Sequence, residues 1–238
     1  FILRNRQWKE QISLADQALL DRNFPLALEA FQNALLIKPK QSHPHIEIAK
    51  IYLQTQDYEK ARDAFSKYIA LEPKDRNARN YLGYIHEKLG NYAAAMEQFE
   101  NSLRINSRDL YALNHLGLAY KQTGRLDDAE VILRKALAID PVCQRTESKN
   151  LHNYLALIFQ ERGDIGEAIA EFRESLRLFH DDVWARQQLG AIFEDKGRHF
   201  EAQIQYSKIL EIDSENLFAK DRLRALNQIS IPNVVKVS

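Results

Sequence analysis

Few side chains in this sequence have the chemistry of a catalytic or metal-binding site. His43, His45 and Glu47 form the only close group of potential metal ligands. Pro44, however, places both histidines at a predicted helix start, where we expect them to face water. Cys143 is the single cysteine and has no histidine near it in sequence, so we interpret it as an inert surface thiol. We therefore expect no metal, no cofactor and no catalytic residue.

Glycines and paired carboxylates also have structural explanations. The glycines occur singly and do not form the Gly-rich loop that cradles phosphate. Asp127 and Asp128 stand at the start of a predicted helix, where negative charge favours the helix dipole. These patterns predict a protein that is not an enzyme.

Composition narrows the partners and the compartment. Lys plus Arg and Asp plus Glu both number 33, so the chain lacks the positive field that attracts nucleic acid. One cysteine cannot form an internal disulfide, which fits a reducing compartment and also allows the periplasm. No run approaches the roughly 20 apolar residues of a membrane span. The sequence slightly favours a cytoplasmic location and leaves a periplasmic or membrane-tethered one open.

The elements that must position any site repeat with a regular period. From Leu116, steps of 34 residues lead backward to apolar markers, and one step of 39 followed by one of 34 leads forward. A small residue follows each marker, an Ala lies twelve positions after it, and a large apolar residue lies four further on. Because four residues make about one helical turn, the Ala and the large residue share a face. The markers are Leu14, Ile48, Leu82, Leu116, Leu155 and Leu189, and the large residues are Phe31, Phe65, Phe99, Leu133, Phe172 and Tyr206.

Predicted helix ends divide each period into two helices. Single glycines fall where a first helix must stop, because Gly tolerates the left-handed conformation that ends helices. A residue able to cap the next first helix follows each second helix. The glycines are Gly90, Gly124, Gly163 and Gly197, and the capping residues are Ser42, Asp75, Asp109, Ser148, Asp182 and Asn216.

The pattern of marker, small residue, Ala and Phe at 34-residue spacing resembles the tetratricopeptide repeat. The resemblance implies an all-α solenoid of helix-turn-helix repeats that forms a right-handed superhelix. The repeats are 8–41, 42–75, 76–109, 110–143, 149–182 and 183–216, with five residues, 144–148, inserted as a longer turn or an added helical turn. We predict a single solenoid over 1–229 with a capping helix at 217–229. The tail at 230–238 is predicted to be disordered or docked.

Tetratricopeptide arrays typically bind peptides or partner proteins in a concave groove, so the resemblance implies a scaffold or adaptor. Its partner would be a protein or an extended peptide, in the assembly of a bacterial multiprotein complex. Two alternatives remain open: the recognition domain of a larger enzyme such as a glycosyltransferase, and a peptide-sensing regulator. The oligomeric state is not predicted.

The groove residues follow from the helix period. If the markers pack inward, residues two positions before them and two and five positions after them face a partner, joined by aromatic residues near the helix starts. The last four repeats place amides two positions before the marker, which suits the unpaired groups of a peptide backbone. The alternative is that these amides pair with neighbouring groups. The predicted partner-binding residues are Asn80, Tyr84, Tyr111, Asn114, Leu118, Lys121, Asn153, Leu157, Gln160, Trp184 and Gln187.

Overall fold

The computed structural model describes residues 2–145 and 150–229, which form thirteen α-helices and contain no strand. Packing divides the chain into two units, unit 1 (Phe1–Ile132) and unit 2 (Leu133–Ser238), with the boundary inside α8. The helices are α1 (Ile2–Leu20), α2 (Phe24–Ile37), α3 (Ser42–Gln54), α4 (Tyr58–Leu71), α5 (Arg76–Lys88), α6 (Tyr92–Ile105), α7 (Leu110–Gln122), α8 (Leu126–Ile139), α9 (Leu151–Arg162), α10 (Ile165–Leu178), α11 (Val183–Asp195), α12 (His199–Ile212) and α13 (Leu217–Ile229).

In unit 1, consecutive helices pack as pairs, α1 with α2, α3 with α4 and α5 with α6. The predicted stripe of large residues is confirmed, because Phe31, Phe65 and Phe99 are fully buried. Gly83 lets α5 approach α6 closely, since a Cβ there would lie 2.6 Å from the Phe99 ring. The marker Leu14 is wrong as an inward position, because 42% of it is exposed.

Unit 2 repeats the same packing with α9 on α10, α11 on α12, and α13 on α12. Phe172 and Tyr206 are fully buried, and a Cβ on Gly190 would lie 2.6 Å from the Tyr206 ring. Asn216 caps α13 as predicted, accepting a hydrogen bond from the Ala219 amide. The predictions for the tail at 230–238 lie outside the described residues.

The predicted helix ends are largely confirmed. Gly90 and the three glycines at equivalent turns have positive φ. Arg22 and Gln56 adopt the same left-handed conformation in the first two repeats, with φ of 54° and 60°. The capping prediction is wrong at Ser42, which is the first residue of α3, while Gln41 at the N-cap makes no side-chain hydrogen bond. Asp75, Asp109 and Asp182 accept hydrogen bonds from helix amides as predicted, and Ser148 lies outside the described residues.

Three first helices are tied to the turn before them by a side chain that the sequence analysis did not single out. His45 Nε2 lies 3.0 Å from the Pro39 carbonyl oxygen, which makes Nε2 the donor. The corresponding guanidiniums of Arg79 and Arg186 donate to the carbonyl oxygens of residues 73 and 180, at 2.8 Å and 2.5 Å. Burial lowers the pKa of Arg186.

The inserted residues follow α8 without extending it. Asp140 accepts backbone hydrogen bonds from Gln144 and Arg145, at 3.2 Å and 2.9 Å. Neither α8 nor α9 is longer than its counterparts, and the prediction for the rest of the insertion, 146–148, lies outside the described residues. Cys143 corrects a prediction: it is 2% exposed, and burial raises the pKa of its thiol to about 11. No helix within 2–145 or 150–229 has the length and apolar character that a bilayer crossing needs.

Candidate functional site

The predicted partner-binding residues lie on the first helices of four repeats, α5 and α7 in unit 1 and α9 and α11 in unit 2. The two histidines considered as metal ligands have other contacts. The His43 ring meets Phe31 edge-on at 5.8 Å, and His45 contacts the Pro39 carbonyl. Among the described residues, no group of three or more His, Cys, Asp or Glu side chains could hold a metal ion.

Asn80 corrects the expectation of a solvent-facing amide. It is 6% exposed, and its Nδ2 donates a 2.9 Å hydrogen bond to Asp109 Oδ2. The same oxygen accepts from Arg76 at 2.8 Å and from the buried Ser102 hydroxyl at 3.2 Å. The other oxygen, Asp109 Oδ1, caps α7 by accepting from the Tyr111 amide. Asp109 thus joins α5, α6 and α7 in one polar network, in which the buried Asn80 Oδ1 has no hydrogen-bond partner among the described residues.

An aromatic group lies beside this network in unit 1. Tyr111 stacks on His115 with ring centroids 4.2 Å apart, and Tyr84 meets the same ring edge-on at 6.1 Å. Glu87 Oε2 lies 2.8 Å from His115 Nδ1, which holds the imidazole in place. Burial raises the pKa of Tyr111, and the negative charge of Glu87 adds to the shift. Sequence analysis selected the two tyrosines and missed His115, the residue that both rings contact.

The remaining predicted residues of unit 1 lie along α7. Asn114, Leu118 and Lys121 are each partly exposed, one helical turn or less apart. They continue the surface that begins at Tyr111. The structure therefore places four predicted residues on one helix, with Tyr84 next to its start.

Unit 2 contains a pocket of about 280 Å³. Three of its lining residues, Asn153, Leu157 and Trp184, are predicted partner-binding residues, and the structure brings them together. Trp184 is 40% exposed, and its ring meets the buried Phe172 ring edge-on, with the ring centroids 6.0 Å apart. We call this cavity the unit 2 pocket, and its lining residues are Asn150, Asn153, Tyr154, Leu157, Asp182 and Trp184.

Asn153 also corrects the expectation of an open amide. It is 3% exposed, and its Nδ2 donates a 2.8 Å hydrogen bond to Asp182 Oδ2. Asp182 Oδ1 caps α11 by accepting from the Ala185 amide at 2.9 Å. Within the described part of the chain, Asn153 Oδ1 and the buried Ser175 hydroxyl have no hydrogen-bond partner. The unit 2 pocket is therefore bordered by a carboxylate with a single side-chain donor, and the unsatisfied oxygen of Asn153 is itself buried.

Two further predicted residues of unit 2 lie outside this pocket. Gln160 on α9 and Gln187 on α11 are partly exposed. The buried Oε1 of Gln160 has no hydrogen-bond partner among the described residues. The structure does not bring these two glutamines together with Asn153 in one cavity.

Comparison with known protein families shows to which family the chain belongs. Two sequence models described as tetratricopeptide repeat match residues 46–109 and 108–181, which together cover more than half of it. The chain belongs to the tetratricopeptide repeat family. None of the curated protein sequences matches it.

Solved tetratricopeptide structures have the same fold. PilW, described as a widely conserved type IV pilus biogenesis factor, aligns with a TM-score of 0.69 and 18% identity over 92% of this chain and 98% of its own. MamA from Desulfovibrio magneticus RS-1 aligns at 0.66 and 18% over 74% and 96%. YrrB, described as having an unusual peptide-binding site, aligns at 0.61 and 18% over 83% and 100%. The predicted α-solenoid class is confirmed, while the hand of a superhelix stays a prediction.

Proposed function

We propose that this tetratricopeptide repeat protein is a protein-interaction scaffold that binds an extended peptide segment of a partner through the surfaces of its first helices. The observation that carries the proposal is the unit 2 pocket. It combines an exposed Trp184 ring and the apolar Leu157 with the polar groups of Asn153 and Asp182. Mostly apolar cavities with a few fixed polar groups are typical of binding sites.

The unit 1 surface of Tyr84, Tyr111, Asn114, Leu118 and Lys121 supplies a second contact region in the proposal. Aromatic side chains offer large contact areas at low conformational cost, because only two torsions must be fixed. The stacking of Tyr111 on His115 already restricts one of these rings before any partner binds. A preorganised surface loses less entropy on binding.

The finer proposal concerns the process in which the scaffold works. PilW is described as a pilus biogenesis factor, and its likeness extends over nearly the full length of both chains. That likeness supports a role in the assembly of a bacterial multiprotein complex. The peptide-binding site printed for YrrB supports a peptide as the ligand.

The test uses a random peptide library displayed on phage, selected against the purified protein. A selected peptide is then added to two variants that carry the photoreactive amino acid benzoylphenylalanine, one at Leu157 and one at the exposed Lys208 on α12. We expect crosslinking from position 157 and none from position 208. Trp184→Ala should weaken the peptide by at least about tenfold, because a partly exposed Trp is a frequent hot spot.

Two results would contradict the proposal. One is a library that yields no peptide binding in solution at micromolar concentration. The other is a selected peptide that crosslinks from position 208 alone and binds Trp184→Ala as tightly as the wild type.

A further inference from the structure

We infer that the unit 2 pocket binds the guanidinium of an arginine side chain presented by the partner peptide. The inference rests on the proposed function and specifies the chemistry of one contact. It is carried by the carboxylate in the pocket, by the aromatic surface and size of the pocket, and by the arginine that unit 1 places on the equivalent carboxylate.

The acceptors in the unit 2 pocket are suited to a planar cation. Asp182 Oδ2 takes a single hydrogen bond from the described residues, the one from Asn153. The Asn153 side chain is almost fully buried, yet its Oδ1 has no partner among those residues. The equivalent Asn80 oxygen in unit 1 is also unpaired, so the group that matches a guanidinium, with its five N–H donors in a fixed plane, is the Asp182 carboxylate that lines the cavity.

The pocket also has the aromatic surface and the size for one side chain. Trp184 is anchored on Phe172 and keeps 40% of its surface exposed. A guanidinium within about 6 Å of an indole ring is attracted to its face, and Trp is the best of the aromatic residues for this contact. The volume of about 280 Å³ lies just below the range of about 300–1,000 Å³ that holds drug-sized ligands, so it suits a single side chain.

Unit 1 shows what such an arrangement binds. Asn80 and Asp109 lie 73 residues before Asn153 and Asp182 and form the same hydrogen bond. There the Asp109 oxygen also accepts from the Arg76 guanidinium at 2.8 Å. The position equivalent to Arg76 in unit 2 is Lys149, which lies outside the described residues. The amide and carboxylate pair is thus compatible with an arginine in this same protein.

The helix dipole of α11 opposes a cation at its start, but the carboxylate outweighs it. A helix N-terminus carries about half a positive charge, whereas Asp182 contributes a full negative charge at the same end. Arg76 occupies the corresponding place at the start of α7, next to its capping Asp109. The local field therefore favours a cation over an anion or a neutral side chain.

The experiment follows the two tryptophans of the chain, Trp8 and Trp184, by the indole N–H signals of ¹⁵N-labelled full-length protein. The probe is N-acetyl-arginine methylamide, and its neutral, equally shaped counterpart is N-acetyl-citrulline methylamide. We expect the arginine probe to shift the Trp184 signal saturably, with citrulline at least about tenfold weaker. Trp8 should not respond, since Lys38 Nζ already lies 4.4 Å from its ring centre. A Trp8→Phe variant assigns the two signals.

Asp182→Asn removes the charge while keeping the local structure. Asn is as good an N-cap as Asp, so its oxygen can still accept from the Ala185 amide. The side-chain NH₂ of the new Asn can donate to Asn153 Oδ1 once the Asn153 amide flips by about 180°, so the hydrogen bond between the two side chains is kept. We expect this variant to weaken the arginine probe at least about tenfold with an unchanged thermal midpoint. The matched control, Asp181→Asn, removes the same charge one residue away and should stay within about twofold.

Several outcomes would overturn the inference. They are no saturable shift at Trp184, equal shifts with arginine and citrulline, equal effects of Asp182→Asn and Asp181→Asn, and an arginine response that appears only in Lys149→Gln. The last result would make Lys149 the occupant of the pocket. The selected phage peptides separate this inference from the proposed function. Peptides that crosslink from position 157 and keep full affinity after every Arg is replaced by citrulline would refute the arginine and leave the scaffold standing.

Discussion

Asp109 in unit 1 and Asp182 in unit 2 occupy the same position in two repeats, yet their surroundings differ. Both cap the following helix and both accept a hydrogen bond from an amide in the preceding first helix. In unit 1, Arg76 and Ser102 also donate hydrogen bonds to the Asp109 carboxylate. Beside Asp182 there is a pocket, and Ser175, the equivalent of Ser102, has no partner among the described residues.

This difference shows how a repeat protein divides stability and recognition between copies of one motif. In both repeats the first carboxylate oxygen caps the helix, at Asp109 with two amides and at Asp182 with one, so the cap does not depend on how the second oxygen is satisfied. In unit 1 that oxygen accepts from the Arg76 guanidinium, and in unit 2 the corresponding residue, Asp182, lines a cavity. The aromatic residue two positions after each Asp also differs between the units. Tyr111 stacks on His115, whereas 40% of the Trp184 surface is exposed to solvent.

The largest expected effect compares the two carboxylates directly. Asp109→Ala leaves Asn80 and Ser102 without their buried acceptor and uncaps α7, so we expect a loss of about 3 kcal/mol of unfolding free energy. Asp182→Ala removes one cap and one side-chain hydrogen bond and should cost about half as much. Urea denaturation of both variants measures the gap. Equal losses would mean that the additional donors to Asp109 add nothing to the stability of unit 1.

A second prediction concerns the packing that the two units share. Gly83→Ala and Gly190→Ala each place a Cβ 2.6 Å from a fully buried ring, Phe99 or Tyr206. Both should lose about 1 to 3 kcal/mol through overpacking, by similar amounts. Gly166→Ala is the control, because its Cβ meets nothing within 4 Å and a helical Ala is favoured over Gly by up to about 1 kcal/mol. If Gly83→Ala and Gly190→Ala had very different thermal denaturation curves, the helix contacts at these two glycines would not be equivalent.

His115 and its counterpart Gln188 sharpen the comparison further. His115→Ala removes the ring that Tyr111 stacks on and leaves Glu87 without its partner, so we expect a loss of about 1 kcal/mol. Gln188→Ala should change the unfolding free energy by less than about 0.5 kcal/mol, as for most surface substitutions. Chemical denaturation at neutral pH compares the two variants, and a larger loss at Gln188 would contradict the role of His115 as the ring that supports Tyr111.

The smallest expected effect on stability belongs to Trp184. Because the ring is partly exposed and contacts Phe172 at 6.0 Å, Trp184→Ala should cost less than about 1 kcal/mol while weakening the selected peptide. Tyr111→Ala in unit 1 is the matched variant and should cost more, since that ring stacks on His115 and also contacts Phe99. Thermal melts beside peptide titration would show whether the two effects separate. A melting loss at Trp184 as large as that at Tyr111 would make this Trp a core residue.

Local rules allowed most of the fold to be predicted from sequence. A turn glycine such as Gly90, a cap such as Asp75 and the buried Phe99 each depend on residues within one helix or turn. Leu14 was wrong because 42% of it is exposed, although Ala15, the small residue next to it, is fully buried as the pattern predicts. Cys143 was wrong because its burial depends on the fold of the connection after α8.

The candidate site could be predicted only in part, because its polar contacts join residues in different repeats. Asn80 and Asn153 share the register of the first helices, but their amides turn to an Asp that follows 29 residues later. That Asn to Asp spacing, present twice, was the signal that would have indicated buried pairs. His115 was missed because its role depends on Glu87 in the preceding repeat. Replacing both asparagines by Ala should therefore reduce stability, contrary to the view of them as free surface amides.

The left-handed residues Arg22 and Gln56 have a consequence for how the chain opens locally. A side chain with a Cβ is strained by about 1 to 2 kcal/mol in this conformation, whereas glycines at the equivalent turns of later repeats are not. The strain is released when a turn unravels, which lowers the free energy of opening there. The Asp57 amide, bonded to Tyr52 at 2.9 Å, should therefore exchange with deuterium sooner than the Asn91 amide, bonded to His86 at 2.8 Å. Protection against exchange should thus rise from the first two turns to the later ones.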